Sequence, residues 1–301
     1  MSFPFRTAID AETHDIRLLR YRDRATLRIL DRAEAATARQ LAILVYGNLR
    51  TAQERLAALY QAGLLERTTV PPPHRGGVEL AYRLSRRARY RLGDHSPRAR
   101  GSNRLGHTLD VVETVCALVT ATDNPRSGSP VLAWLAEPTA ATALGTPPHP
   151  DSVLVLEADG SSGVFCLEID EETQRRAVIE AKLNAYRRLF DAHPTWWLLF
   201  VVPSRNRARW LRTVAGRVDP EVGSRGWVTS LVTLRAGHLD ALAVGLASGT
   251  IVPLRKLLAR MDSPRRGASV ASEPWLRLLG DGGIEDIDAL LRQQGQTTVA
   301  R

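Results

Sequence analysis

Three carboxylates stand at spacings that could bring them to one point. Asp151 opens the apolar run VLVL at 153–156, and Glu168 and Asp170 close the next run, VFCLEID at 164–170. Residues two apart on a strand share a face, and pairing the two runs as a hairpin brings Asp151 beside the other two. Carboxylates gathered in that way repel one another, so they share a proton or a hard cation. Mg²⁺ or Mn²⁺, held by a few carboxylates and several waters, suits such a set, and it can activate water and stabilise charge on a reacting phosphodiester. Glu113, on an expected preceding helix, is a candidate additional acid. The alternative reading is three solvated strand-end acids paired with Arg175 or Arg176.

The pattern of an aspartate followed on the next strand by acid-x-lysine belongs to many metal-dependent nucleases. There the lysine orients water and offsets phosphate charge; here Asp170 occupies its position. Lys182, one of two lysines in the chain, is placed to substitute from the helix expected over 171–193, although a solvated helix residue is the competing reading. Tyr186, beside Leu183 and Leu189 on that helix, reads as packing. The seven histidines form no His-x-His or His-x-x-x-His pair, which argues against zinc hydrolase chemistry. No Gly-x-x-x-x-Gly-Lys phosphate loop is present, so no nucleotide cofactor is expected. Cys116 and Cys166 lie inside apolar runs and read as small buried hydrophobes.

The elements that must position these residues alternate. A helix is expected from His107, then a strand VLAWLAE, the hairpin, the helix over 171–193, and WWLLFVV as a strand buried on both faces. A helix over 205–218 and a strand over 226–234 follow. The order αβββαβ is that of restriction-endonuclease-like nucleases, and fold order alone assigns no activity.

The net charge of +9 is unevenly placed. Residues 1–106 hold 20 arginines against 10 acidic residues, and the remainder holds 21 basic against 22 acidic residues. An excess confined to the first third is the electrostatic footprint of a nucleic-acid-binding domain. The local pattern agrees. Helices are expected over 22–35 and 37–47, the second with Thr37 as its cap and Gly47 as its stop. A third, over 49–63, gathers Ala52, Leu56, Leu59, Tyr60 and Gly63 on one arc. LLERTTV and VELAYRLS then read as two strands around a Pro- and Gly-rich tip. Three helices and a hairpin make a winged helix-turn-helix. In that geometry Arg50, Thr51, Gln53 and Glu54 face base edges of double-stranded DNA, and His74 and Arg75 on the wing meet phosphates or the minor groove. A winged helix serving protein contacts is the alternative.

The expected organisation is a winged helix-turn-helix over 1–93, a basic linker over 94–106, a nuclease-like α/β domain over 107–261, and a tail with one short helix over 262–301. No apolar run is long enough to cross a membrane and the N-terminus lacks a leader pattern, so a cytoplasmic location is expected.

The segments RDRATLRIL, ATARQLAILVYG, RTAQERLAALYQAGLLER, LGHTLDVVET, PDSVLVL, FCLEIDEETQ and KLNAYRRLF, in that order between residues 20 and 215, resemble the replication-relaxation proteins of bacterial plasmids and integrative elements. The resemblance implies a winged helix joined to a nuclease-like fold, and a role in plasmid replication, DNA relaxation or mobilisation. It also implies that Glu168, Asp170, Glu172 and Thr173 are the family's own pattern. The resulting expectation is a sequence-specific DNA-binding protein of α+β (α/β) class. Its second domain either nicks DNA with Mg²⁺ or Mn²⁺ or serves, without catalysis, as a dimerisation or docking module. A homodimer and replication or conjugation proteins are the expected partners.

Overall fold

Leu27, Ile29 and Leu30 give the first helix its apolar side, and α1 (Tyr21–Ala33) buries all three. The computed structural model describes residues 19–70, 79–92, 104–120, 131–145 and 147–259. Two compact units divide it, Met1–Glu113 and Thr114–Arg301. The division falls inside a helix, C-terminal to the linker expected at 94–106.

In the first unit a short strand, β1 (Ala36–Thr37), leads into α2 (Ala38–Leu41). Thr37 caps α2 in a reciprocal box with Gln40, satisfying two backbone donors that the first turn leaves open. The chain continues as a π-helical turn over Ala42–Tyr46 and stops at Gly47, whose φ of 73° suits a residue without a Cβ. Asn48 caps α3 (Leu49–Gln61) through the Thr51 amide. The strands β2 (Leu65–Val70) and β3 (Glu79–Leu84) form an antiparallel ribbon, with β1 on the far side of β3. Ser85 then caps α4 (Arg86–Arg91). Tyr60, expected on the buried arc of α3, is instead 39% exposed, and the Arg67 guanidinium lies 4.3 Å from its ring centroid. The buried polar centre is Asp23, bound by Arg55 at 2.5 and 3.1 Å and by the Tyr46 hydroxyl at 3.3 Å. That network ties α1 to α3 and to the turn between them.

The helix α5 (Leu105–Val119) crosses the division, and beyond it the second unit is built on a seven-stranded sheet. Its elements are β4 (Val131–Ala136), α6 (Glu137–Leu144), β5 (Ser152–Ala158), β6 (Ser161–Ile169), α7 (Arg176–Ala192), β7 (Trp196–Val202), α8 (Arg205–Ala215), α9 (Pro220–Arg225), β8 (Gly226–Ser230), α10 (Leu231–Gly237), β9 (Leu242–Gly245), β10 (Ile251–Pro253) and α11 (Leu254–Leu258). The strand order is β10-β9-β8-β7-β6-β5-β4, with β6-β7 and β7-β8 parallel and the other pairs antiparallel. The protein is therefore α+β. The helix α7 lays Ile179, Leu183, Tyr186 and Phe190 into a core with Val153, Val155, Cys166, Leu198 and Phe200.

Two boundaries and one element differ from the expected order. The helix expected from 171 starts at Arg176, because Glu172 adopts φ 63° and its amide donates to the Asp170 side chain, closing a turn before the helix. The strand expected over 226–234 ends at Ser230, whose hydroxyl caps α10 through the Thr233 amide. The helix α6, between β4 and β5, has no counterpart in the expected element order. Both cysteines are buried and free. Among the described residues no helix is long and apolar enough to cross a membrane.

Candidate functional site

The hairpin register sets the site. Ser152 pairs with Leu167, so Asp151 meets the end of β6, and its Oδ2 accepts the Ile169 amide at 2.7 Å. Glu168 lies next to Ile169 on β6 and is 1% exposed; Asp151 is 8% exposed. From α7 come two donors to Glu168. The Lys182 ammonium reaches Oε2 at 2.5 Å and the Tyr186 hydroxyl reaches Oε1 at 2.6 Å. The two side chains are four residues apart and therefore share one face of α7.

Burial pushes the Glu168 carboxyl up to about 7, and the charge of Asp151 adds to the rise; Lys182 and Tyr186 oppose it. Burial also works against the charge of Lys182, but Glu168 and then Asp151 outweigh it and hold the ammonium above its ordinary value. Burial, reinforced by Glu168, pushes the Tyr186 phenol well up, so the hydroxyl stays protonated and acts as a donor. Burial and the charge of Asp151 thus outweigh the two donors, and a proton on Glu168 is favoured.

Asp170 does not join the other two acids. Arg207 of α8 binds it through two nitrogens at 2.6 and 3.0 Å, and the same guanidinium donates to the Gln174 carbonyl and stacks 3.8 Å from the Trp210 ring centroid. Arg207 therefore fastens the β6–α7 connection to α8. Arg176, an expected partner of the acids, pairs instead with Glu180 on its own helix. Glu113, expected as an additional acid, is clamped within the first unit by Arg39 at 2.6 and 3.1 Å and by Gln40 at 3.1 Å. Among the described residues no group of three or more His, Cys, Asp or Glu side chains is assembled to hold an ion. Of the three acids expected to hold Mg²⁺ or Mn²⁺, Asp151 and Glu168 lie close enough for the charge of one to act on the other. Two carboxylates completed by waters and substrate oxygens are sufficient for such ions, and the four lone-pair sites of Glu168 exceed its two donors.

Arg50, Thr51, Gln53 and Glu54 are all exposed on α3, opposite buried Ala52, Leu56 and Leu59. Arg50 and Glu54 pair at 3.1 Å in solvent. His74 and Arg75 lie outside the described residues, as do most of the expected linker and the tail from residue 260.

Two residues of the site escaped the sequence reading. Tyr186 reads as packing because it lies among apolar neighbours, yet its spacing of four from Lys182 was an available signal. Arg207 is 37 residues from Asp170 and carried no local signal.

Fold and site together define an α+β protein of two units, one of helices with an antiparallel ribbon, the other a mixed sheet with an acid, lysine and tyrosine group at a strand end. The family model described as replication-relaxation matches residues 27–198, more than half of the chain, and the chain belongs to that family. The match includes Asp151, Glu168, Lys182 and Tyr186 and stops before Arg207. Membership connects the chain with replication or relaxation of a plasmid or similar element. Comparison with curated proteins and with solved structures found no match.

Proposed function

We propose that this chain binds duplex DNA of its element through the first unit and nicks or otherwise processes it through the second, with Mg²⁺ or Mn²⁺ held by Asp151 and Glu168. The observation that carries the reading is the delivery of Lys182 from α7 to the carboxylate of Glu168 at 2.5 Å. A lysine there compensates for the missing lysine after Glu168, because what the chemistry requires is a cation beside the acid pair, whatever strand or helix supplies it. The metal, when bound, would lower the pKa of a water and offset charge on the phosphate. Lys182 would supply the positive charge beside that water, and Tyr186 holds Glu168 in place. In the first unit, α3 and the β2–β3 ribbon have the element order of a winged helix-turn-helix, and the exposed residues of α3 are of types that read base edges.

One arrangement favours a non-catalytic alternative: both oxygens of Glu168 are already engaged, so the group is also a self-satisfied core network. Incubating supercoiled plasmid carrying the element's origin with the protein and Mn²⁺ separates the two. Open-circular product that falls at least 100-fold in both Glu168→Gln and Lys182→Met is the outcome expected. Intact plasmid with wild-type protein that still binds the origin leaves a DNA-binding regulator whose second unit serves docking or dimerisation.

A further inference from the structure

The second unit is close to neutral, with 21 basic and 20 acidic residues, yet its basic residues are not evenly spread. From Pro203 to Val218 there are five arginines and no acidic residue. Helix α8 sorts four of them by face. Arg207, with Leu211, Val214 and Ala215, points inward. Arg205, Arg209 and Arg212 follow one another at steps of four and three, which places them on a single stripe opposite that buried face. Arg205 and Arg209 are exposed, and so are Asn206 and Thr213 beside them. Arg212 is half-buried against the backbone at Gly249, where φ is 68° and an added Cβ would collide with the guanidinium; its Nε has no hydrogen-bond partner among the described residues.

We infer that the outer face of α8 is a second DNA contact, a phosphate-backbone surface beside the acid pair; this rests on the DNA-processing reading above. Three features support it. The helix is fixed to the site, because Arg207 grips Asp170 two residues after Glu168 and Ser204, at the cap of α8, donates to Glu172. Its N-terminus lies at the carboxyl end of β7, which runs parallel to β6, so helix and acid pair occupy the same edge of the sheet. The stripe holds no apolar residue and no acid, so a partner must be recognised by charge, and a polyanion answers that where an ordinary protein interface, built on a desolvated apolar centre, does not. Seven residues of helix span about 10.5 Å, the axial length of about three phosphates on one strand of a duplex.

The test is the salt dependence of binding to origin duplex by the full chain, comparing wild type with Arg205→Ala/Arg209→Ala and with Arg188→Ala, a substitution of an exposed arginine on α7. Removing one phosphate interaction lowers the slope of log K against log salt by about 0.9. A slope reduced by about 1 to 2 in the double variant, unchanged in Arg188→Ala and accompanied by wild-type melting behaviour, is expected. Wild-type binding with the same slope in all three proteins overturns the α8 surface alone, and an equal reduction in Arg188→Ala overturns it in favour of a general charge effect. Failure of the wild type to bind DNA overturns this surface together with the reading on which it rests.

Discussion

Glu168 combines three conditions that rarely coincide on a carboxylate: near-complete burial, a second acid nearby, and an ammonium with a phenol as its donors. The first two favour the protonated form and the third the charged form, and burial with Asp151 prevails. The sign of the pH effect follows. With an ordinary value of 4.5 and a folded value of about 7, the folded protein binds more protons than the unfolded chain between those pH values. The contribution is fully present below about 4.5 and is lost as pH rises through about 7. In metal-free buffer the stability of wild type relative to Glu168→Gln therefore declines across that window, by about 3 kcal/mol at most. Melting curves of both proteins at intervals from pH 4 to 8 check this, and parallel curves would refute it.

The elements carry this arrangement, and one ion pair joins two of them. Asp170 is 2% and Arg207 9% exposed, so removal of the guanidinium leaves a buried carboxylate with its countercharge gone and the Glu172 amide as its remaining donor among the described residues. Arg207→Ala should cost about 3–5 kcal/mol in urea unfolding, with Asp170→Ala/Arg207→Ala recovering part of it. Additive losses in the double variant would contradict the coupling. Much at this scale is legible in the sequence because its causes are local. Thr37 and Gly47 bracket their helical segment as their cap and αL preferences require, and WWLLFVV is a strand covered on both faces. The hairpin is legible too, since alternation and a turn set its register. The rest depends on distant partners. The late start of α7 follows from a turn closed by Asp170, and the short β8 follows from Ser230 acting as a helix cap. Asp170 itself groups with Asp151 and Glu168 in the sequence because its spacing from Glu168 is visible in the chain, whereas Arg207 reaches it only across the fold.

At the scale of the whole molecule, the excess of arginine in residues 1–106 and the basic stripe on α8 predict two separable contributions to DNA binding. Phosphate contacts set affinity and salt dependence without reading sequence, whereas contacts to base edges discriminate among sequences. On α3 the Arg50–Glu54 pair is exposed, a pairing worth little, so exchanging it for a phosphate or a guanine would cost Arg50 little. Gln53 has no charge to contribute and offers only donor and acceptor geometry suited to adenine. Gln53→Ala should therefore lower the preference for the element's own site over a single-base variant by about 1–3 kcal/mol while leaving the salt slope unchanged. Competition binding with a panel of single-base variants measures both quantities in one experiment. A uniform loss across the panel would mean that α3 meets the backbone rather than the bases, and a full retention of preference would move sequence reading to another element of the first unit.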